Sequence, residues 1–493
     1  MPDKPSLPPA EKAIENSVKR FRERGIILPT FKELRQPELI PQPILERLKN
    51  IGLWDINPLN LFRITWKNEP LPFGGLFSGV NYLEIPRAIT GVDARIVMLV
   101  GKWFPTGAHK VGAAYGCLAP QIVSGGFDPT WQKAVWPSTG NYCRGGAFDS
   151  KLMGTESVAI LPEEMSQERF DWLRNEIGSE VIATPGCESN VKEIYDACWD
   201  IRRNRPDCVI FNQFDEFGNP VWHYHTTGNA LLELWQMLRR PESRLAAFVS
   251  ATGSAGTIAA GDLLRKHEPA LKVVATEALQ CPTLLNNGFG GHRIEGIGDK
   301  HVPWVHNVKN TDVVTAIDDE DRMRLVRLFN EAKGHELLKE EGLSQEEIDS
   351  LSLMGISCIA NLLAAIKTAR YFEMNSDDML FTVATDSAAL YQSRLEELRE
   401  SRGAYSYQQA MRDLESCLLG TRTDHMKELG YYDRKAIHNL KYYTWIEQQA
   451  RELDELNAMW YDHMFWERVF AHADKWDEQI AEFNERTGLL KSL

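Results

Sequence analysis

A lysine at the start of a predicted helix is the first residue whose type and position suggest chemistry. Lys110 ends the segment PTGAHK and opens an apolar helix that continues VGAAYGCLA. The positive end of a helix dipole disfavours a further positive charge at this point. We therefore expect an amine that loses its proton readily and attacks an aldehyde, although an exposed, solvated lysine is the commoner case.

A second polar segment follows the apolar run KAVWP and consists of Ser138, Thr139, Gly140 and Asn141. Its side chains and backbone N–H groups would form a cradle for a carboxylate or a ring hydroxyl. Capping of the next helix is the alternative interpretation.

A loop of small residues lies between the run AAFVS and the helical segment IAAGDLLRK. It consists of Gly253, Ser254, Ala255, Gly256 and Thr257. Small residues let the backbone close around an anion, and a helix N-terminus supplies N–H donors. Neither the GK[ST] of a nucleoside-triphosphate loop nor a complete GxGxxG is present. We predict that the loop binds a phosphate other than a nucleoside triphosphate; a plain tight turn is the alternative.

A hydroxyl group stands at the end of a further strand. Asp386 and Ser387 follow the run MLFTVAT. Ser387 is placed to pair with a ring nitrogen, whereas Asp386 is expected to point to the other side of the strand end. Helix capping is again the alternative.

Short β-branched apolar runs alternate with helical segments from about residue 95 and place these loops at strand ends. Continuous apolar strands alternating with helices indicate parallel sheets covered on both faces. We therefore predict an α/β fold with two three-layer domains, mostly parallel sheets and a ligand-binding cleft between them. The runs are 95–101, 134–137, 157–161, 181–184 and 208–211 in a first set, and 246–250, 273–277, 313–317 and 379–385 in a second set.

The domain boundaries follow from these patterns. Residues 1–60 are read as an N-terminal arm and residues 61–395 as the catalytic core. The core divides into a smaller domain of about 95–215 and a larger one of about 61–94 and 216–395. From residue 396 to 493 the strands stop, and we expect a helical extension whose many aromatics pack onto the core, build a subunit interface or cover the active site.

Composition excludes several classes of function. With 55 basic and 69 acidic residues the net charge is −14, which disfavours nucleic-acid binding. Eight scattered cysteines and an N-terminus without an apolar h-region predict a cytoplasmic protein without a signal peptide. No apolar stretch is long enough to predict a membrane span. His223 and His225 would share one face of a strand, but no further ligand accompanies them, and we expect no metal.

The order of the four segments resembles that of a known family. TGAHK resembles the lysine segment of tryptophan synthase β subunits, STGN and GSAGT resemble loops of cysteine synthases, and ATDSAALYQS resembles a segment of cystathionine β-synthases. The stretches NQFDEFGNPVWHYHTTG, HRIEGIGDKHVP and GIS extend the likeness over about residues 80–395. The chain is identified as a member of this pyridoxal-phosphate (PLP) family of fold type II.

The resemblance implies a cofactor and a role for each segment. Lys110 would carry PLP as a Schiff base and shuttle the proton at the substrate Cα, and Asn141 would bind the ring hydroxyl of the cofactor. Ser387 would bind the pyridine nitrogen. Substrate would be held by Ser138, Thr139, Gly140 and Gln213, with Glu295 a weaker candidate, and the cofactor phosphate by Gly253, Ser254, Ala255, Gly256 and Thr257.

A hydroxyl partner for the pyridine nitrogen implies a reaction class. It leaves the ring largely unprotonated, which favours β-elimination or β-replacement on a small β-substituted amino acid over transamination. The expected protein is a cysteine-synthase-like lyase or transferase and a homodimer. A dehydratase or racemase of the same fold, and a non-catalytic PLP-holding scaffold whose C-terminal helices bind a partner, remain alternatives.

The chain departs from the family pattern at two places. Tyr142 stands where cysteine synthases carry a threonine, and we expect its phenol to reshape the carboxylate end of the pocket. His109 precedes the lysine as in tryptophan synthase β, but the acidic loop for indole chemistry is replaced by STGNYC. Arg144 and His301 are expected to be solvated or salt-bridged rather than to contact substrate.

Overall fold

A computed structural model describes residues 10–138, 140–165, 167–186 and 191–492 of the chain. The described residues form two compact units. The first unit draws on Met1–Gly79, Trp103–Thr227 and His463–Leu493, and the second on Val80–Lys102 and Gly228–Asp462.

Eleven strands lie in the described part of the chain, and they are numbered in chain order. They are β1 (Tyr82–Glu84), β2 (Arg95–Val100), β3 (Lys133–Pro137), β4 (Glu156–Pro162), β5 (Glu180–Thr184), β6 (Cys208–Ile210), β7 (Arg244–Ala251), β8 (Lys272–Ala278), β9 (Val313–Ile317), β10 (Asp378–Ala384) and β11 (Met426–Glu428).

The α-helices are numbered in the same way, and short 3₁₀ and π-helical turns lie among them. The helices up to the middle of the chain are α1 (Ala10–Arg24), α2 (Phe31–Arg35), α3 (Gln42–Leu48), α4 (Arg87–Thr90), α5 (Lys110–Val123), α6 (Asn141–Leu152), α7 (Gln167–Asp171), α8 (Val191–Asn204), α9 (Gly218–Trp222), α10 (Gly228–Leu238) and α11 (Ala260–His267). The later helices are α12 (Thr283–Asn286), α13 (Asp319–Asn330), α14 (Ala332–Glu340), α15 (Gln345–Ser350), α16 (Ile356–Tyr371), α17 (Gln392–Arg402), α18 (Tyr407–Asp413), α19 (Tyr431–Lys441), α20 (Leu453–Tyr461), α21 (Phe465–Phe470) and α22 (His472–Thr487).

The sheet of the first unit has four parallel strands in the order β5-β4-β3-β6. Its strands are continuous apolar runs because both faces are covered. On one face Val135, Val158 and Ile160 pack against Ile194 and Ile201 of α8. The carboxyl ends of β3 and β6 lie side by side, so that the loops following them are neighbours.

The sheet of the second unit has seven strands in the order β1-β2-β10-β7-β8-β9-β11. The five central strands are parallel, and the two edge strands β1 and β11 are antiparallel to their neighbours. Helix α16 is buried along most of its length in the core of this unit. The α/β architecture predicted from the sequence is confirmed, and all nine predicted runs are strands.

Two sequence-based expectations are corrected by the strand pairing. The pattern groups the run 95–101 with the smaller domain, but β2 pairs in parallel with β10 of the seven-stranded sheet. The C-terminal part is expected to be purely helical, yet β11 pairs with β9 there. Pairing depends on contacts distant in the sequence, which local patterns do not record.

The C-terminal helices pack within both units. In the second unit the Trp445 indole N–H donates to the Val302 carbonyl (2.8 Å), and the buried Lys441 ammonium donates to the Trp304 carbonyl (2.8 Å). In the first unit the Asn484 amide bonds the Leu28 N–H and carbonyl. The expected packing role is therefore present in the described structure.

A helix that crosses a membrane must be about 20 residues long and predominantly apolar. No single described helix is both long and apolar enough. Only the bent pair Gln345–Leu353 and Ile356–Tyr371 meets the length and composition criteria together, with an angle of 113° between its two members.

Candidate active site

Lys110 stands at the first position of α5, directly after a strained turn. Thr106 and Gly107 both have positive φ angles, of 67° and 69°. This conformation is costly for threonine, and such strain concentrates at functional sites. Thr106 is also buried, and its hydroxyl has no hydrogen-bond partner among the described residues. This strain cannot be read from the sequence, because TGA is typical of an ordinary turn.

A line of hydrogen bonds joins Lys110 to the polar loop after β3. The Lys110 Nζ donates to the Gln213 Oε1 (3.0 Å), and the Gln213 Nε2 donates to the Ser138 Oγ (3.3 Å). The Gly140 backbone N–H donates to the same Ser138 Oγ (3.1 Å). The first unit therefore brings together four of the sequence-predicted site residues. Thr139 lies outside the described residues.

The Ser138 hydroxyl accepts two hydrogen bonds and keeps its own hydrogen for another partner. Within the described chain no acceptor takes that hydrogen, and the side chain is only 2% exposed. The capping alternative is not realised, because the N-cap of α6 is Gly140, which has no side chain. The Ser138 hydroxyl can therefore still donate one hydrogen bond.

Helix α6 holds Asn141 beside Lys110 through a close approach of two helices. A Cβ on Gly145 would lie 2.7 Å from the Val111 Cα and N and 3.0 Å from the Lys110 carbonyl carbon. Only glycine lets α6 approach the backbone of α5 this closely. Asn141, the first residue of α6, is thereby fixed near the lysine at the start of α5.

Arg169 of α7 is a site neighbour that the sequence reasoning missed. Its side chain is buried at 2% exposure. The guanidinium lies against Gly140, since a Cβ there would be 2.5 Å from the Arg169 Nη1. The buried Arg169 guanidinium thus packs against the polar loop at Gly140. An arginine in an amphipathic helix carries no sequence signal for such a position.

Two buried histidines lie beside the lysine helix. The His109 and His223 ring centroids are 4.9 Å apart. Burial lowers the pKa of His223 well below its ordinary value, and the nearby His109 and Lys110 lower it further. The His223 Nδ1 lies 2.9 Å from the Thr227 Oγ1. This imidazole is therefore neutral and bound internally.

His225 turns to other partners than His223. Its Nε2 donates to the Phe470 carbonyl (2.8 Å), and its Nδ1 lies 3.3 Å from the Arg35 Nη1. The two histidines would share one face if they lay on a strand, but the segment His223–Thr227 is a π-helical turn.

Two expectations for the start of α6 are corrected. Tyr142 is 1% exposed and packs edge-on against Trp136 with ring centroids 5.4 Å apart, so its phenol lies in the core of the first unit. Arg144 is neither solvated nor merely salt-bridged. Its guanidinium carbon lies 5.2 Å and 4.9 Å from the ring centroids of Trp54 and Trp172, a cation–π arrangement.

The second unit carries the predicted phosphate loop at the carboxyl end of β7. Ala255 has a φ of 58° and Gly256 a φ of −70°. Residues that alternate in this way turn their backbone N–H groups toward one concave side, which binds anions. A Cβ on Gly253 would lie 2.6 Å from the Gly296 carbonyl oxygen, so the EGIG segment packs directly on the loop. Ser254 and Thr257 are buried in the same turn.

Ser387 follows β10, the strand beside β7, so that its segment and the phosphate loop leave the same sheet edge as neighbours. Asp386 is fixed internally: its Oδ2 accepts from the Tyr391 hydroxyl (2.6 Å) and its Oδ1 lies 3.5 Å from the Cys358 Sγ. Ser387 is 2% exposed and makes no cap hydrogen bond, and its hydroxyl has no other partner in the described chain. The Asp386 carboxylate therefore has protein partners, whereas the Ser387 hydroxyl can still form a hydrogen bond.

The two weaker candidates in the second unit have structural partners. Glu295 accepts from the Arg394 Nε (2.7 Å) and is buried. His301 packs against Trp445 with ring centroids 5.5 Å apart, and burial lowers its pKa to about 3. Neither is presented as a free acid or base.

Comparison with solved structures identifies the class of fold. O-acetylserine sulfhydrylase isoform 3 of Entamoeba histolytica aligns with 69% of this chain and 94% of its own chain, with a TM-score of 0.56 and 21% sequence identity. At this identity the likeness defines the architecture alone.

Sequence comparison then identifies the family. Residues 103–338 match the family described as pyridoxal-phosphate dependent enzyme. The probable cysteine synthase of Bacillus subtilis is 28% identical over 301 residues, or 61% of this chain and 89% of the relative. Cysteine synthase B of Campylobacter jejuni is 30% identical over 242 residues, or 49% of this chain and 71% of the relative. The chain therefore belongs to the pyridoxal-phosphate-dependent enzymes of the cysteine synthase type.

Proposed function

We propose that this chain catalyses β-elimination or β-replacement on a small β-substituted amino acid with PLP as its cofactor. It is then a lyase or a transferase. The observation that carries the proposal is the line from the Lys110 Nζ through Gln213 to Ser138, which sets an amine and a free hydroxyl hydrogen at the two ends of one hydrogen-bonded path. An amino-acid substrate requires two such groups. The amine acts at its Cα, and the hydroxyl binds its carboxylate.

The residues present fit the cofactor. The concave turn at Ala255 and Gly256 suits a phosphate, and the loop Gly253–Thr257 contains no acidic side chain. The Ser387 hydroxyl is buried and lacks a partner in the described chain, as a group intended for a ring nitrogen would. Lys110 and Asn141 are assigned to the aldehyde and ring hydroxyl ends. When bound, PLP supplies an electron sink for bonds broken at the amino acid.

The chain's own groups then have distinct tasks. The Lys110 amine, positioned by Gln213, moves the proton at the substrate Cα. The Ser138 hydroxyl donates to the substrate carboxylate, together with Thr139. Gly140 contributes to substrate binding only indirectly, because its backbone N–H donates to the Ser138 Oγ. Its contact with Arg169 keeps the loop closed.

The partner of the ring nitrogen decides between reaction classes. Asp386 is already bound to Tyr391 and Cys358, and Ser387 is the available group. A hydroxyl does not protonate a pyridine as a carboxylic acid does. Departure of a β-substituent is therefore favoured over transamination.

An absorbance titration of the holoenzyme tests the proposal. Serine, cysteine, O-acetylserine, O-phosphoserine and threonine are added separately, and the cofactor band is followed with and without a thiol acceptor. We expect one donor to shift the band and release its β-substituent. Borohydride reduction should fix the cofactor to the peptide containing Lys110, and Lys110→Ala should abolish both signals.

The alternatives give different results. A dehydratase yields a keto acid and ammonia without using the thiol, and a racemase yields the opposite enantiomer with the β-substituent retained. If PLP binds but none of the five amino acids changes its spectrum, the chain is a scaffold and the catalytic proposal is wrong. Labelling of another lysine overturns the site assignment.

We further propose a cytoplasmic homodimer. The exposed tyrosines of the C-terminal helices, among them Tyr432 at 85% and Tyr461 at 63% exposure, suit an interface core. Sedimentation of the purified holoenzyme tests this, and a monomer at micromolar concentration contradicts it.

A further inference from the structure

The second unit contains a cavity apart from the loops described above. Its volume is about 300 Å³, at the lower end of the range for small-molecule sites. It opens at the carboxyl ends of β8 and β9, where Leu279 and the segment from Ala316 to Asp318 line it. In open α/β sheets, ligands bind at this edge.

The basic side chains that line the cavity can form further hydrogen bonds and ion pairs. Arg422 lines it and forms no hydrogen bond or ion pair within the described part of the chain. Lys367 of α16 is 5% exposed, and its Nζ donates to the Ala316 carbonyl (3.3 Å) and the Asp424 carboxylate (3.2 Å). Both bonds are long, and the third hydrogen of this ammonium finds no acceptor among the described residues.

The acidic side chains that line the cavity can also form further ion pairs. Among the described residues, Asp318 accepts only from the neutral donors Glu320 N–H (2.8 Å) and Gln280 Nε2 (3.1 Å). The Asp321 Oδ1 lies 3.4 Å from the Cys417 Sγ. Neither carboxylate forms an ion pair with a described residue, although Arg422 lines the same cavity. Arg422 and the two carboxylates, which form no ion pair with a described residue, thus line the same cavity.

This arrangement selects the ligand by its charges. A simple anion would leave the two carboxylates unpaired. A simple amine would leave Arg422 unpaired and the third hydrogen of the Lys367 ammonium, which already bonds Asp424, without an acceptor. A molecule carrying a carboxylate and an ammonium a few ångströms apart satisfies both, and leaving either group unpaired costs affinity. The apolar Leu279, Ile317 and Leu363 offer contact to a short side chain.

We propose that this cavity is a second amino-acid site, which binds a free α-amino acid with its carboxylate at Arg422 and Lys367 and its ammonium at Asp318 and Asp321. Its occupant is not the substrate, since none of the residues assigned to substrate or cofactor lines it.

Helix α16 connects the cavity to the Ser387 segment. At the N-terminal end of α16, the Ser357 Oγ lies 3.1 Å from the Thr385 Oγ1 and the Cys358 Sγ 3.5 Å from the Asp386 Oδ1. Lys367 lies on the same helix about 15 Å further along, at 1.5 Å per residue. A ligand that holds Lys367 therefore also restrains the end of β10.

Calorimetric titration of the holoenzyme tests the site. The probes are L-valine, L-methionine and L-glutamate, none of which carries a β-leaving group, with acetate and ethylamine as half-ligands. We expect saturable binding of at least one amino acid, and at least tenfold weaker binding of both half-ligands. Amide hydrogen exchange over residues 385–391 should slow when the amino acid is bound.

Variants locate the binding. Arg422→Leu, at an exposed position, and Lys367→Met should each weaken binding by about tenfold or more. Arg240→Leu, which removes an exposed arginine just before β7 at the opposite edge of the sheet, is the matched control and should leave it unchanged. Ser138→Ala should also leave it unchanged.

Three results overturn the inference. They are the absence of binding by all three amino acids, equal binding of acetate alone, and loss of binding in Ser138→Ala with retention in Arg422→Leu. The last result would place the bound amino acid at the candidate active site. None of these results depends on whether the proposed reaction occurs.

Discussion

At the scale of single residues, Ser138 is distinguished by the hydrogen that its two accepted bonds leave free. Ser138→Ala removes that donor from the proposed carboxylate site. A hydrogen bond to a charged group contributes about 1.5–3 kcal/mol, so we expect KM for the amino-acid donor to rise by roughly 10- to 100-fold with a smaller change in kcat. Steady-state kinetics measure this, with the exposed Ser124→Ala as control. An unchanged KM would show that the carboxylate binds elsewhere.

Asp149 of α6 is a second residue whose position is costly. It is fully buried, and both carboxylate oxygens lack a hydrogen-bond partner in the described chain. Burial raises the pKa of Asp149 well above its ordinary value of 3.8. The folded state therefore keeps a proton that the unfolded state releases above about pH 4. Its contribution to stability falls as pH rises, by at most about 1.4 kcal/mol per pH unit.

Asp149→Asn removes this titration. We expect the melting temperature of the variant, relative to wild type, to increase between pH 5 and pH 8. Thermal unfolding at pH 5, 6.5 and 8 measures the difference, and buried histidines, which act in the opposite sense, cancel because both proteins contain them. The exposed Asp196→Asn is the control. A difference independent of pH would mean that Asp149 is ionised in the folded protein.

At the scale of elements, the contact of α5 with α6 positions the lysine. Gly145→Ala would place a methyl group 2.7 Å from backbone atoms of Val111, which cannot move aside as a side chain can. We expect a loss of about 1–3 kcal/mol in stability, as for overpacking in a core, and weaker retention of PLP. Unfolding by denaturant and dialysis of the holoenzyme measure the two effects.

Gly79→Ala is the matched control for this substitution, because a Cβ there would meet open space. If Gly145→Ala behaves like the control, the helices adjust without strain and the close approach does not position Lys110.

At the scale of the whole molecule, the C-terminal helices belong to the cores of the units. Tyr405, Leu414 and Leu418 are part of the main hydrophobic core of the second unit. In the first unit the Asp477 carboxylate accepts from the N–H groups of Phe31 and Lys32 at the start of α2. These residues stabilise both units rather than extend from them.

Deletion of residues 396–493 should therefore give insoluble protein. Expression and sedimentation measure this, and Tyr432→Ser, at an exposed position of the same segment, should leave solubility unchanged. A soluble truncated protein that is monomeric and binds PLP would instead assign the segment to a subunit interface. A soluble truncated dimer with altered substrate affinity would assign it to covering the active site.

The sequence by itself determined where strands occur along the chain and which loops follow them. Continuous apolar runs, such as those of β7 and β10, predict strands that are covered on both faces. Small or hydroxyl-bearing residues directly after them indicate loops that approach a ligand. These are local properties, and for that reason the sequence alone marks Lys110, the loop Gly253–Thr257 and Ser387 as candidate site residues.

Tertiary structure alone decided which strands pair and which polar groups have a hydrogen-bond or ion-pair partner. The sheet to which β2 belongs depends on β10, which lies nearly 300 residues away in the chain. Tyr142 lies in the core of the first unit, where its ring packs edge-on against the Trp136 ring. The same physical reason applies to the free hydrogen of Ser138, the isolated carboxylate of Asp149 and the unpaired charges around the cavity at β9. Whether a polar group has a partner depends on residues distant in the sequence, and no local pattern encodes it.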